Sequence, residues 1–375
     1  MLVRNLGEIR IGSIMADTLA DTVTGDSAFY SSLSSDVWHA RSGFKAYEWW
    51  YFDALSDDGR EAVVITFFDN YVFSPRYADQ TDPDDSKVAP VRFPAVAFSY
   101  SVDGKTVFKT ISEFSYSHFT ASRTAVECSI GDSSFHVDTA SYGSGYLVTV
   151  DVPLGPAKRL KASFEWLTVE GDLLAPTSSD AAGSVWNMVA SRSDVSGRIE
   201  VIDRKGKSKR IIHFRGTGYH DQRSGDVPLY EAISCRQWGR AHFTDCSAVF
   251  CVETDEENVE KRARLLITGN GEIDIWPAKV EPQKFRRDKF GIKYPQRLIF
   301  TTDDNIRLRI KPVETIESTF CELRFLSEMT LMLGDGKPRK TVGISEILAP
   351  KNIKYRLFRW FSDLQIGKDG NRPIF

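Results

Sequence analysis

Two short stretches of the sequence place carboxylates next to aromatic rings. Residues 45–68 read KAYEWWYFDALSDDGREAVVITFF, in which four large rings stand in a row between two acids. Residues 214–231 read FRGTGYHDQRSGDVPLYE, in which Asp221 follows Tyr219 by two positions. A carboxylate inside an aromatic interior needs a partner or a function. Burial also raises the pKa of a carboxyl group, so the chemistry open to such a group is proton donation.

Strand geometry would divide each stretch between two faces. Because alternate side chains of a strand point to opposite faces, Tyr219 and Asp221 would share one face while His220 points away. Tyr219 and Asp221 are therefore candidate neighbours in a pocket. The alternative is that Asp221 begins an Asx-type turn and caps the loop DQRSGD. In the first stretch, the two faces would carry Trp49, Tyr51 and Asp53 on one side and Glu48, Trp50 and Phe52 on the other.

Signatures of the common metal and nucleotide chemistries are missing from the sequence. Its six histidines show no HxH or HExxH spacing, so neither a metal site nor a cofactor is expected. GTGYHD lacks the third glycine of a dinucleotide fingerprint, and no GxSxG elbow or Walker loop is present. A lone tryptophan such as Trp186 is core by default. It becomes a site residue only if its indole shares a cavity with Asp221.

The composition describes a globular protein with balanced charge. Lys and Arg number 48 against 51 Asp and Glu, and the net charge of −3 gives no basic footprint for nucleic acid. An apolar or neutral small molecule is the more natural partner. The five cysteines form no CxxC pair, and the N-terminus shows no clear export signal. A reducing cytoplasm is therefore the expected location.

Short runs of β-branched and aromatic residues, separated by turn residues, predict an all-β protein. Hairpin turns are expected at 103–104, 269–271 and 303–305, because the Asp, Asn and Gly residues there tolerate positive φ. Antiparallel sheets closed into barrels or sandwiches follow from this pattern.

The clearest helical signal is NIKYRLFRWFSDLQ, near the C-terminus. Apolar residues recur there at helical spacing between basic ones, namely Ile353, Leu357, Trp360, Phe361 and Leu364. Such an amphipathic helix either packs on a barrel or rests on a membrane surface.

The length of 375 residues favours two domains or one large one. The least strand-like interval is 225–240, so we place a boundary there. The prediction is a partly ordered leader over 1–40, a first domain over 41–232 and a second domain over 233–375.

Several motifs together resemble one known family. WWYFDALSDDG at 49–59, VFSPRY at 72–77 and GTGYHDQRSGDVPLYEA at 216–232, followed by Trp238, look like the carotenoid 1,2-hydratases, also called hydroxyneurosporene synthases. The wider superfamily includes kievitone-hydratase-like proteins and, more distantly, Diels–Alderases. The resemblance implies two tandem lipocalin-like antiparallel β-barrels, to which the periodicity adds a C-terminal amphipathic helix.

The resemblance also implies a reaction, the hydration of a terminal isoprene double bond. A proton adds to one alkene carbon, and water captures the tertiary cation on the other. Asp221 would be the acid and Tyr219 would orient it, because both match the family's Gly-Tyr-x-Asp motif. Ring faces can stabilise the cation by about 0.5–2 kcal/mol per good contact. The aromatic residues implied at the cavity are Trp186, which matches the family's His-x-Trp pair, with Trp49, Tyr51 and Trp238.

The histidine of that pair is Ser184 in this sequence. A missing acid/base partner leaves two alternatives open. The chain could be a cyclase, isomerase or pericyclase that folds a polyene into a reactive conformer, or a lipocalin-like carrier without chemistry. In each case the partner is an apolar polyene or isoprenoid. The basic C-terminal helix is also compatible with a peripheral membrane contact.

Overall fold

The computed structural model describes residues 27–81, 91–140, 143–176, 183–254 and 260–371. They form two sheets, almost wholly antiparallel, with three α-helices and three short 3₁₀ helices. Most of the predicted leader, residues 1–26, lies outside the described part of the chain.

The first sheet has thirteen strands, twelve of them from the N-terminal part of the chain. They are β1 (Ser27–Tyr30), β2 (Tyr47–Ser56), β3 (Glu61–Phe68), β4 (Ala95–Val102), β5 (Lys105–Glu113), β6 (Phe119–Ala121), β7 (Glu127–Ile130), β8 (Ser133–Ala140), β9 (Gly143–Leu154), β10 (Lys158–Gly171), β11 (Ser184–Asp203), β12 (Ser208–Gly225) and β22 (Ile366–Lys368). Their order is β22-β5-β4-β3-β2-β12-β11-β10-β9-β8-β7-β6, with β1 beside β11.

The second sheet has nine strands. They are β13 (Cys235–His242), β14 (Ser247–Thr254), β15 (Glu260–Gly269), β16 (Glu272–Pro277), β17 (Lys279–Arg287), β18 (Lys293–Thr301), β19 (Arg307–Ser318), β20 (Glu322–Met332) and β21 (Arg339–Leu348). Their order is β16-β15-β14-β13-β21-β20-β19-β18-β17.

All three predicted hairpins are present, joining β4 to β5, β15 to β16 and β18 to β19. Asp103, Asn270 and Asn305 adopt φ angles of 47°, 56° and 57° at these turns. These turn residues therefore adopt the left-handed backbone conformation that their residue types predicted.

Each sheet curls around its own apolar core. The first core includes Trp50, Phe52 and Phe135, and the second includes Phe250 and Phe300. A third cluster lies between the sheets and draws on both of them. The prediction of two tandem lipocalin-like barrels is confirmed, and the contact between the barrels forms a further buried layer.

Strand β2 is buried on both faces, which explains its unusual run of rings. Trp50 and Phe52 point into the first barrel. Trp49 and Tyr51 point to the layer between the barrels. Asp53 lies on that second side, where Arg240 of β13 donates from Nε to its Oδ1 at 2.7 Å. This fully buried ion pair joins the two sheets.

The α-helices are α1 (Pro75–Thr81), α2 (Leu229–Ala232) and α3 (Arg356–Gln365), and the 3₁₀ helices are Tyr116–His118, Gly155–Ala157 and Pro350–Lys354. Helix α2 connects β12 to β13 and lies within residues 225–240, where we placed the domain boundary. The position of that boundary stays a prediction. Helix α3 confirms the amphipathic C-terminal helix. Within the described residues, no helix is long and apolar enough to cross a membrane.

Candidate active site

Asp221 lies inside strand β12 and is almost fully buried. The strand continues to Gly225, so the alternative that Asp221 begins a turn is wrong. Oδ2 of Asp221 accepts hydrogen bonds from Nε1 of Trp186 at 2.9 Å, from the hydroxyl of Tyr219 at 2.9 Å and from Nε of Arg223 at 3.4 Å. Strand alternation brings Tyr219 and Arg223 to the same face as Asp221, and β11 supplies Trp186 from the neighbouring strand.

The other carboxylate oxygen of Asp221 is available to a ligand. No hydrogen bond from the described residues reaches Oδ1, and Asp221 lines a cavity between the barrels. Burial raises the pKa of Asp221, although Arg223 and the Tyr219 hydroxyl favour the ionised form. The arrangement holds one oxygen in place and leaves the second free to give or take a proton.

Three rings contact one another beside Asp221 and bridge the two sheets. Trp238 of β13 lies with its ring centroid 5.5 Å from that of Tyr51 and 5.1 Å from that of Tyr219. Nε1 of Trp238 and the hydroxyl of Tyr51 are buried without a hydrogen-bond partner among the described residues. Unpaired buried donors are costly. The Tyr51 hydroxyl faces Asp53, whereas Nε1 of Trp238 is suited to meet a polar group of a ligand.

The cavity has two adjacent parts that share lining residues. The part at Asp221 has a volume of about 70 Å³ and is lined by the aromatic side chains of Trp49, Tyr51 and Trp238. It shares six lining residues with a larger part of about 310 Å³, which extends to helix α3: Thr66, Phe68, Phe73, Glu322, Arg324 and Leu348. The predicted substrate residues Trp49, Tyr51 and Trp238 are thus brought together with Asp221.

The second sheet contributes charged residues to this cavity that the sequence analysis missed. Arg324 of β20 contacts Glu317 and Glu322 and donates to Glu346 of β21 at 3.0 Å. Its guanidinium carbon lies 5.8 Å from the ring centroid of Tyr51. Alternation of Glu322 and Arg324 with apolar residues in CELRF places them on one strand face. This alternation alone does not show whether that strand face borders a cavity or solvent.

Carboxyl groups outnumber cations in this second cluster. Glu317, Glu322 and Glu346 face Arg324 and Lys109, whose ammonium lies 2.8 Å from Glu317. Burial raises the pKa of Glu322 well above its usual range, against the opposing effect of Arg324 and with the help of Glu346 and Glu317. Burial also opposes ionisation of Glu317, but Lys109 and Arg324 lower its pKa to about 2. Within this cluster, Glu322 is therefore the carboxyl group whose neutral form burial favours.

His220 points away from Asp221, as alternation predicts. Its Nε2 lies 2.9 Å from Asp36 and its Nδ1 lies 2.9 Å from the carbonyl of Tyr51. Its ring stacks on Phe52 inside the first barrel, with centroids 3.9 Å apart. All six histidines lie in the described residues, and none of them lines the cavity. The acid/base role that the resemblance implies for the position of Ser184 is therefore not taken over by an imidazole at this cavity.

Ser184 occupies the start of β11, on the same side as Trp186. Both residues line a separate hollow of about 30 Å³, together with Arg223. The guanidinium carbon of Arg223 lies 4.2 Å from the ring centroid of Trp186. Ser184 is therefore linked to Asp221 only through its neighbours, since Arg223 and Trp186 both hydrogen-bond to that carboxylate. Within the described residues, no group of three or more His, Cys, Asp or Glu side chains could hold a metal ion.

The fold places this protein among those built from two tandem lipocalin-like barrels. Two solved structures share it over 87% of this chain: an AttH protein of Nitrosomonas europaea, with a TM-score of 0.56 and 16% identity, and CghA in complex with Sch210972, with a TM-score of 0.53 and 13% identity. The matches cover 98% and 96% of those chains. These similarities support the tandem lipocalin-like fold. No protein-family model matches the sequence.

Sequence similarity then gives the particular relatives. A protein named hydroxyneurosporene dehydrogenase from Chlorobaculum tepidum is 24% identical over 350 residues, which is 90% of this chain and 91% of that protein. Acyclic carotenoid 1,2-hydratases from Thiocapsa roseopersicina and Rubrivivax gelatinosus are 24% and 30% identical, over 76% and 60% of this chain. The matches span 65% and 53% of those two hydratases. The predicted resemblance to carotenoid 1,2-hydratases is confirmed.

Proposed function

We propose that this protein hydrates a terminal isoprene double bond of an acyclic carotenoid or a related polyene, in the cavity between its two barrels. One observation carries the proposal: Asp221 is a buried carboxyl group, held through Oδ2 and open through Oδ1 to an aromatic cavity. Relatives named as carotenoid 1,2-hydratases support the reaction class.

Asp221 acts as the acid in this mechanism. Protonated Oδ1 gives its proton to one carbon of the alkene, and the π electrons form the new C–H bond. The other carbon becomes a tertiary cation, and Asp221 becomes a carboxylate. Tyr51 and Trp238 offer ring faces to the cation. Trp186, Tyr219 and Arg223 hydrogen-bond to the carboxylate that forms.

Water completes the reaction from the opposite side of the cavity. A water oxygen forms the C–O bond with the cation, and the resulting oxonium must lose one proton. Glu346 lines the cavity at Asp221 and belongs to the second sheet, so we assign it as the base. Glu322, whose pKa is raised by burial, orients the water by hydrogen bonding. Glu346 then passes this proton to Asp221, which restores the resting state of both carboxyl groups.

The cavity volume sets how a long substrate would bind. A volume of about 310 Å³ is at the lower end of the usual range for small-molecule sites. A cavity of this size encloses one end of a long polyene, and the rest of the chain extends past helix α3. This geometry matches a reaction at a terminal double bond.

The test is incubation of the purified protein with lycopene or neurosporene in detergent, in water labelled with heavy oxygen. Mass spectrometry should detect a product heavier by one labelled water with the wild type and none with Asp221→Asn. Asp335→Asn is the matched control, because Asp335 is exposed on a turn of the second barrel. Equal hydration by both variants would contradict the assignment of Asp221.

A second candidate function is a cyclase, isomerase or pericyclase acting on a polyene. It is favoured by Ser184 and by the lack of any histidine among the described residues that line the cavity. A product of unchanged mass that requires Asp221 would support this candidate over hydration. Tight polyene binding without turnover in both wild type and Asp221→Asn would support a carrier instead.

A further inference from the structure

Helix α3 presents its apolar side to solvent. Leu357, Trp360 and Phe361 are 71%, 63% and 44% exposed, and their spacing places them on one helix face. Tyr355, just before the helix, is 61% exposed. The sequence predicted this apolar face, and the structure leaves it uncovered. Contiguous exposed apolar patches mark interaction sites.

The opposite side of the helix fixes its orientation. Phe358 packs against Phe320 and Phe290, with ring centroids 5.8 Å and 6.4 Å apart. Arg359 pairs with Asp79 of helix α1, and Ser362 is buried. The apolar face is therefore exposed on a helix that is already docked to the protein.

The segment that contains the helix has an excess of basic side chains, although Arg359 pairs with Asp79 and Lys368 with Asp363. Residues 351–368 contain five basic side chains and one acidic side chain, which gives 5 − 1 = +4, whereas the whole chain carries −3. Lys354 and Arg356 are exposed beside the apolar face. Aromatic and aliphatic residues flanked by cations are typical of helices that lie in the interface of an anionic bilayer.

The same helix borders the mouth of the large cavity. Phe361, Ser362 and Gln365 line the 310 Å³ part, which adjoins the part at Asp221. A surface that bound this helix would therefore lie next to the entrance of the site.

We propose that helix α3 binds the surface of an anionic lipid bilayer. Tyr355, Leu357 and Trp360 insert among the headgroups, while Lys354 and Arg356 contact lipid phosphates. The contact is peripheral, and it brings the cavity mouth to the lipid. An apolar substrate dissolved in the bilayer then reaches the cavity without crossing water.

The first test is flotation of the full-length protein with vesicles of phosphatidylcholine mixed with phosphatidylglycerol. The double variant Leu357→Glu/Trp360→Glu should reduce the bound fraction at least about tenfold, because it removes apolar insertion and adds two negative charges. The control Val169→Glu/Val313→Glu makes the same charge change at two exposed valines on β10 and β19. It should bind nearly as well as the wild type, and circular dichroism should be unchanged in both.

Lipid composition and salt provide the second test. Binding should weaken on vesicles of phosphatidylcholine alone and at high ionic strength, because screening reduces attraction of the basic side chains to anionic lipid. Brominated lipid should quench part of the tryptophan fluorescence in the wild type, and Trp360→Phe should remove that quenched part. Flotation equal in the helix variant and the valine control would overturn the proposal.

Self-association is the competing explanation, and sedimentation velocity separates it. If the wild type forms a dimer that Leu357→Glu/Trp360→Glu dissociates, and vesicles neither bind nor compete, the face joins two copies and the lipid proposal is wrong. A monomer that floats with anionic vesicles supports it.

A turnover comparison tests the link to the site and rests on the proposed hydratase function. The helix variant should lose most turnover of a polyene supplied in vesicles while keeping turnover of the same polyene in detergent micelles. Wild type inactive in both media would contradict the proposed function but leave vesicle binding intact. Equal losses in both media would overturn lipid delivery through the helix.

Discussion

The indole N–H of Trp186 donates to Oδ2 of Asp221 at 2.9 Å, across 35 residues of sequence. The tryptophan lies on β11 and the aspartate on the adjacent strand β12. This bond favours the ionised carboxylate, whereas burial favours the neutral acid. The proton affinity of Asp221 is therefore set by a balance that single substitutions can shift.

That balance predicts a specific pH dependence. If Asp221 donates the proton, activity requires the neutral acid, so kcat/KM should be highest below the raised pKa of Asp221 and fall as pH rises through it. Trp186→Phe removes a hydrogen bond to the carboxylate, which raises the pKa further. The descending limb of the pH–rate profile should then move to higher pH by about one unit.

Trp238→Phe is the matched control for this shift. Its Nε1 has no hydrogen-bond partner among the described residues, so losing the N–H should not alter the pKa of Asp221. The comparison uses the midpoint of the pH–rate profile and not the rate itself, because Trp238 also lines the cavity. Equal midpoints in wild type and Trp186→Phe would exclude Asp221 as the titrating acid.

The carboxyl groups of the second sheet should differ in their contributions to catalysis. Glu346→Gln should lower kcat by about 10²-fold, because an amide cannot accept the proton from water. Glu322→Gln should cost less, since burial favours the neutral form of Glu322 and an amide resembles a neutral acid. Glu328→Gln, at an exposed position further along β20, serves as the control. Steady-state kinetics of the three variants checks the order of these losses in kcat. An unchanged kcat in Glu346→Gln would exclude Glu346 as the base.

Local patterns predicted the strands, the three hairpins and the pairing of Tyr219 with Asp221. These features depend on pleat alternation and on turn residues, which act over a few positions. The hydrogen bond between Tyr219 and Asp221 is such a case, with both residues on one strand face. The resemblance then added Trp186, which no local rule connects to Asp221.

Contacts between the barrels could not be predicted in this way. Glu322 and Glu346 reach the cavity only because β20 and β21 pack against a face of the first sheet. Helix α3 also differs from its simplest interpretation, since Leu357 and Trp360 face solvent instead of a barrel. Periodicity identifies an apolar face but not what covers it.

The ion pair between Asp53 and Arg240 should be a major source of stability between the sheets. Both side chains are fully buried, so removing one leaves an unpaired buried charge or donor. Asp53→Asn or Arg240→Met should lower the free energy of unfolding by about 3–5 kcal/mol. The double variant should lose less than the sum of the two single variants. Urea unfolding of all four proteins measures the coupling, and additive losses would show that the pair does not interact.

Gly216 is required by the close approach of β12 to β2. A β-carbon added there would lie 2.7 Å from the carbonyl carbon of Leu55 and 2.8 Å from Cα of Ser56, and backbone atoms cannot move aside cheaply. Gly216→Ala should therefore destabilise the protein by about 2–3 kcal/mol. Gly145→Ala is the matched control in the same sheet, because its nearest neighbour, the carbonyl oxygen of Trp166, lies at 3.4 Å. Thermal unfolding should separate the two variants, and equal melting temperatures would mean that the strands relax around the new methyl group.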